Sequence, residues 1–295
     1  MKKLLFVMNP FAGMRKANRY LAEILSLFNR AGYTVITHMT AGPGDGTDVV
    51  QNLAPSMDAV VCCGGDGTFN ETVNGMLRSG VDLPIGYIPA GSTNDFAASL
   101  HLHTEPLKAA QDILEGKPCR YDIGLFGHRH FCYVASFGAF TKSSYATPQS
   151  IKNALGHTAY VLSGIQEISQ LRNTHMRFEL DDEVIEGDFL FGAISNSTSV
   201  GGVLTLDPKQ VDLQDGKFEL FLVRTPRNLL ELSECIQALQ SQKYNCSAIT
   251  FRSTSHLRVI SAEPVTWTLD GEREDVFEPV EVQNLHHAIS LLLRG

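Results

Sequence analysis

From residue 4 to residue 115, short apolar runs alternate with stretches whose apolar residues recur at helical spacing, and a polar turn closes most of the runs. That rhythm belongs to parallel strands joined by crossover helices. A strand covered on both faces is apolar throughout, whereas its crossover helix needs only one apolar stripe. Residues 4–8, 33–39, 59–63 and 83–88 read as strands. Helices are predicted after Gly13, with Tyr20, Ile24, Leu27 and Phe28 on one face until Gly32 ends it, from about Thr47, and after Gly67, with Phe69, Val73, Met76 and Leu77. A fourth helix is expected over 106–115, where Pro106 takes a first-turn position whose N–H would be unsatisfied anyway.

After residue 121 the pattern turns to strand alternation, as in Phe178-Glu179-Leu180 before the Asp181-Asp182 turn and in the run 218–222. Helical insertions are expected near 150–170 and 228–240, and the segment 284–293 also looks helical. At 295 residues the chain exceeds one ordinary core, so two domains are expected: an open parallel α/β domain over 1–121 and a largely antiparallel β domain over 122–283, with 284–295 packing back on the first. With 43% hydrophobic and 19% charged residues the chain can bury a core, which excludes wholesale disorder.

The net charge of −8 argues against a protein that holds nucleic acid by neutralising phosphates. Lys2, Lys3, Arg15, Lys16 and Arg19 make the most basic stretch, too sparse for a polybasic membrane anchor. Apolar runs are all shorter than a spanning helix needs, and the amino terminus is unlike a signal peptide, so a cytoplasmic protein is expected. Six cysteines without a C-x-x-C pair indicate neither a disulfide scaffold nor a zinc site, and Cys62-Cys63 reads as buried strand.

The string Gly64-Gly65-Asp66-Gly67-Thr68-Phe69-Asn70-Glu71 stands between an apolar strand and a helix. Glycines let backbone N–H groups approach a ligand and the helix start adds partial positive charge, together a phosphate cradle. Thr68 with Glu71 also has the spacing of a capping box, which needs no ligand, and Gly44-Asp45-Gly46-Thr47 repeats the tetrapeptide after another strand. Neither the Walker A pattern nor G-x-G-x-x-G occurs. The company of the string raises its weight: the 9–13 turn, Thr40 and the 89–96 turn also follow expected strands, and in an open parallel sheet such turns gather at the carboxyl ends, where ligands bind.

These strings, with Asp122-Ile123-Gly124, Ser144-Tyr145-Ala146-Thr147-Pro148, Gln214-Asp215-Gly216 and Leu269-Asp270-Gly271-Glu272, resemble in order those of the bacterial diacylglycerol kinase and lipid kinase family, related to the sphingosine kinases. The resemblance implies a Rossmann-like domain akin to NAD kinases and phosphofructokinases, a β-sandwich, and transfer of the ATP γ-phosphoryl group to a lipid hydroxyl at a membrane surface. By matching positions, Asn9, Thr40, Gly65, Asp66, Gly67, Thr68, Asn70, Glu71 and Ser92, with neighbouring Pro10, Gly13, Gly64 and Asn94, would contact ATP. Glu272 would be the general base, and Asp66, Asp95 and Asp122 would surround the phosphates and Mg²⁺. A second, structural Mg²⁺ is implied at Asp215 and the carbonyls near Asp212 and Lys217. The chemistry suits these residue types, since phosphoryl transfer needs backbone donors, a metal held by carboxylates and a carboxylate near the acceptor oxygen.

Met14 and Ser163 stand where some relatives carry lysine, with Arg15 and Lys16 able to replace the former. His286-His287 and Trp267 have ordinary surface or packing readings. Two rival functions remain: an NAD kinase-like phosphotransferase with a soluble acceptor, separated by whether activity needs a lipid surface, and a noncatalytic nucleotide- or lipid-binding regulator. Edge strands of the β-rich half offer a seam for a homodimer.

Overall fold

The computed structural model describes residues 1–13, 17–138, 173–200 and 204–294. Met14, Ser163, the string 144–148 and the helical insertion expected at 150–170 lie outside them. The chain forms two compact units, 1–123 with 285–295 and 124–284.

In the first unit, β1 (Lys2–Met8), α1 (Leu21–Arg30), β2 (Tyr33–Met39), α2 (Asp45–Leu53), β3 (Ala59–Gly64), α3 (Asp66–Ser79), β4 (Pro84–Pro89), α4 (Asp95–Ser99) and α5 (Pro106–Glu115) follow one another. The strands lie parallel in the order β2-β1-β3-β4. Leu4, Phe6 and Met8 point to one face of the sheet, where they meet Ile24 and Phe28 of α1 and Ala109, Ala110 and Ile113 of α5. Helices α2 and α3 pack on each other through Gly75. A Cβ there would stand 2.6 Å from the Thr47 carbonyl oxygen and 2.7 Å from the Val50 Cβ, so only glycine permits this separation.

Strand β5 (Lys117–Phe126) leads into the second unit, which holds β6 (Arg129–Phe131), β7 (Val134–Gly138), β8 (Thr174–Leu180), β9 (Val184–Ser195), β10 (Ser199–Val200), β11 (Leu204–Thr205), β12 (Phe218–Arg224), α6 (Leu229–Ser241), β13 (Ile249–Thr254), β14 (His256–Ser261), β15 (Val265–Leu269) and β16 (Glu272–Val276). The long β9 pairs with β8 through its first half and with β7 and β12 through its second, so one strand serves two sets of partners, as sandwiches allow. Inward residues, among them Phe137, Phe178, Phe189, Phe218 and Trp267, form its aromatic core. Trp267 is fully buried between Phe126 and Phe137, in keeping with its packing reading.

The last element corrects an expectation. Residues 284–293 are not helical but belong to β17 (Val280–Leu293). Its start pairs antiparallel with β14, and Ser290 and Leu291 pair parallel with Pro84 and Ile85 of β4. Leu285, Ile289 and Leu292 have helical spacing, but the open edge of β4 offered a ladder to the run 289–293, and tertiary pairing overrode the period.

Strands β15 and β16 form a two-residue hairpin in which Asp270 and Gly271 have φ values of 50° and 86°, a pair of positive φ angles that Asp-Gly accommodates. The Asp270 carboxylate is buried. Its Oδ2 accepts from the Cys132 N–H at 2.6 Å, and its Oδ1 from those of Tyr133 and Val134 at 3.0 Å each. One side chain thus ties the hairpin to the approach to β7.

Two stability predictions follow from these contacts. Alanine in place of a mid-helix glycine ordinarily gains up to about 1 kcal/mol of helix propensity. Gly67, the second residue of α3, whose Cβ would meet nothing within 4 Å, should show a smaller gain of that sign, whereas Gly75→Ala should lose about 1–2 kcal/mol by overpacking. Denaturant unfolding of both variants reads the opposite signs. Asp270→Ala orphans three buried N–H groups and should cost about 3 kcal/mol or more, with Asp270→Asn losing less because asparagine keeps an acceptor and tolerates positive φ.

Candidate active site

The turns after β1, β2, β3 and β4 are bound to one another by backbone. Asn9 N–H donates to the Cys63 carbonyl at 3.0 Å, Thr40 N–H to that of Met8 at 2.8 Å, and Ala90 N–H to that of Gly64 at 2.7 Å. Gly13, at φ 43°, lies so close to the Ala90 carbonyl that no side chain fits between them. A Cβ on Gly91 would stand 2.5 Å from the Gly65 Cα, so the β3 and β4 turns touch main chain to main chain. Asn9 Oδ1 accepts from Phe11 N–H at 2.9 Å, which folds the Asn9-Pro10 turn back on itself.

Helix α3 starts from Gly65 without a side-chain cap, so its first N–H groups and the positive end of its dipole sit at the junction of the β3 and β4 turns. Asp66 stands on its first turn and accepts from Phe96 N–H at 3.4 Å. Asn94, in the left-handed region at φ 54°, accepts from Gly91 N–H at 2.8 Å and donates to the Gly91 carbonyl at 3.0 Å, holding the turn that presents exposed Ser92 and leads to buried Asp95. Phe69 stacks on Phe96, with ring centroids 4.9 Å apart, and fixes α3 against α4. Asn70 accepts from Asn74 Nδ2 at 2.8 Å.

Thr68 and Glu71 do not form the expected capping box. Glu71 points instead to the start of α2, where its Oε1 accepts from Gly44 N–H at 2.7 Å and its Oε2 from Gly46 N–H at 2.9 Å. Thr68 lies buried against Gly64. The carboxylate satisfies donors of a second helix, a use that a local window of sequence does not show.

Asp122 also departs from expectation. It is fully buried in β5, where its Oδ1 accepts from His287 N–H at 2.7 Å and lies 3.0 Å from His286 Nδ1. The parallel register of Ser290 with Pro84 sets these histidines, and Asp122 with them, toward the amino-terminal end of β4. Asp66 and Asp95 stand beyond the carboxyl ends of β3 and β4. The structure therefore groups Asp66 with Asp95 and separates Asp122 from both.

In the second unit, Glu272 opens β16, two residues after the anchored Asp270. Its carboxylate is 59% exposed and pairs with Arg129 Nη2 at 2.9 Å, while Arg129 Nη1 holds Glu274. Around the expected structural metal loop, Asp212 Oδ1 accepts from Gln214 N–H at 3.0 Å and Asp215 Oδ1 from Lys217 N–H at 2.9 Å, with Gly216 at φ 76° allowing the bend. The Lys217 carbonyl accepts from Asn284 Nδ2 at 2.8 Å. Sequence reasoning passed over Glu219, which is 1% exposed and whose Oε2 has no hydrogen-bond partner among the described residues. Burial first, and then the charges of Asp215 and Asp212, push its carboxyl up to about 8. A buried acid repelled by two neighbours is a donor set that a hard divalent cation satisfies. Its one sequence signal is an acid within an otherwise apolar strand.

Comparison with known proteins agrees with this layout. Residues 3–126 match the family model of the diacylglycerol kinase catalytic domain, and residues 136–293 that of the YegS C-terminal NAD kinase beta sandwich-like domain. The chain is 33% identical to a diacylglycerol kinase of Bacillus subtilis over 99% of its own length and 97% of the relative's, and 32% identical to one of Staphylococcus saprophyticus over 92% and 89%. The crystal structure of a diacylglycerol kinase from Bacillus anthracis superposes with a TM-score of 0.75 at 20% identity, covering 99% of this chain and 97% of that one. With an α/β unit and a β-sandwich that both match over nearly the whole chain, the protein belongs to the diacylglycerol kinase family of lipid kinases.

Proposed function

We propose that this protein transfers the γ-phosphoryl group of ATP to the free hydroxyl of diacylglycerol, giving phosphatidic acid and ADP. The observation that carries the reading is the meeting of four strand-end turns at the uncapped start of α3. Backbone donors and a helix dipole there suit an oligophosphate. Ser92 and Asn94 border the same turns, and Asp66 and Asp95 supply the carboxylates on which Mg²⁺ would be held; when bound, that ion would neutralise phosphate charge. Glu272 is the assigned base: its carboxylate takes the hydroxyl proton as the oxygen bonds to the γ-phosphorus and the bond to ADP breaks. The ion pair with Arg129 orients the Glu272 carboxylate. Asp215, the carbonyls of Asp212 and Lys217 and buried Glu219 would hold a second, structural Mg²⁺.

The acceptor resides in a bilayer, so the protein works at a membrane surface. No helix among the described residues is long and apolar enough to cross one.

Labelled ATP with Mg²⁺ and mixed micelles containing diacylglycerol should yield labelled phosphatidic acid. Absence of label from that lipid, with transfer to NAD in the same assay, would favour the soluble-acceptor alternative. Glu272→Gln should lower kcat about a hundredfold or more while ATP binding stays within twofold, and unchanged turnover would remove Glu272 from the base role. For the structural cation, Mg²⁺ should raise the unfolding midpoint of the wild-type protein. Glu219→Gln should raise the midpoint without Mg²⁺ and shrink the Mg²⁺ increment, because it removes a buried acid that the ion otherwise compensates.

A further inference from the structure

Asp122, His286 and His287 lie together away from the phosphate-facing turns, and each can present one ligand atom, all three within 4.8 Å of one another. We propose that they form a binding site for a transition-metal ion of the zinc type.

In a regular strand, adjacent residues such as 286 and 287 face opposite sides. Here they do not. His287 takes φ 54°, a left-handed conformation uncommon for a non-glycine residue, and the two rings stack with centroids 3.7 Å apart and an interplanar angle of 25°. The break falls in β17 between its pairing with β14 and its pairing with β4. Such a kink re-aims side chains, and local strain of this sort gathers at functional positions.

The two exposed rings are open to an arriving ion, while the carboxylate beneath them is fully buried. His287 N–H donates to Asp122 Oδ1 at 2.7 Å, and Arg120 bonds both the His287 carbonyl and Asp82. These contacts fix the carboxylate and the kink, as outer groups do around metal ligands. Bonds of about 2.0–2.1 Å place the ligands of a tetrahedral zinc roughly 3.4 Å apart. His286 Nδ1 and Asp122 Oδ1, 3.0 Å apart, are already near that spacing, and rotation of exposed rings can adjust the rest. Two imidazoles and one carboxylate favour zinc, cobalt or nickel over magnesium, which prefers oxygen. Its ligands stand at the other end of β4 from Asp66 and Asp95.

The full-length protein titrated with Co²⁺ in excess Mg²⁺ should develop a visible absorption band that saturates at one equivalent and is displaced by Zn²⁺. His286→Ala and His287→Ala should each weaken Co²⁺ binding about tenfold or more, with far-ultraviolet circular dichroism unchanged because both rings are exposed. His175→Ala, which alters a separate surface histidine beside Glu186 and Asp188, should leave the band intact. Absence of a band at equimolar Co²⁺, or a band that survives loss of both His286 and His287, would overturn the proposal.

Discussion

The contact of the Gly65 and Gly91 main chains is the constraint on which the carboxyl end of the parallel sheet depends. It requires two strands in register, Gly64 beside Pro89, and two turns without side chains where they cross. Once they touch, α3 must begin at the junction, and Asn94 must adopt its left-handed conformation to lead the chain into α4. The Asn9 and Thr40 turns then close on the same end through backbone bonds one strand further out. An enlarged residue at either glycine would part the turns before it altered the core, because Leu4, Phe6 and Ile88 are packed below them.

In the second unit a comparable role falls to Asp270. A two-residue turn fixes the register of β15 and β16, but the turn alone leaves the hairpin free to move as a body. The ladder of β15 with β7 removes that freedom, three N–H groups bound to one buried carboxylate fix the turn itself, and Glu272 follows two residues later. Arg129 then limits the side chain itself.

The parallel unit was legible because its signals are local. Apolar runs, helical stripes and glycine turns each report on a few neighbouring residues, and α5 spans the residues expected of it. The family strings marked Glu272 and Asp215 as candidates in the same local way. What stayed hidden depends on distant partners. The run 289–293 is a strand because β4 had a free edge, and the Glu219 carboxyl is pushed up by burial and then by Asp215 and Asp212, none of which a local window shows. Asp122 was grouped with Asp66 and Asp95 by chain resemblance, which carries no account of which end of a strand a residue occupies. The histidine pair was passed over because nothing in two adjacent histidines reports a left-handed backbone.

The repeated Gly-Asp-Gly-Thr shows how strongly such context decides. Both copies follow a strand and open a helix, yet they are not equivalent. At the first, Glu71 bonds the N–H groups of Gly44 and Gly46, and Asp45 bonds that of Ala41; this backbone bond, with His38 beside it, holds the Asp45 carboxyl below its usual range. Two carboxylates thereby occupy the positive end of α2, and an incoming phosphate would meet negative charge. At the second copy, Glu71 is turned away to serve the first, and no side chain caps α3. One glutamate therefore differentiates two identical tetrapeptides: by satisfying the start of α2 it leaves the start of α3 as the place where an anion gains most.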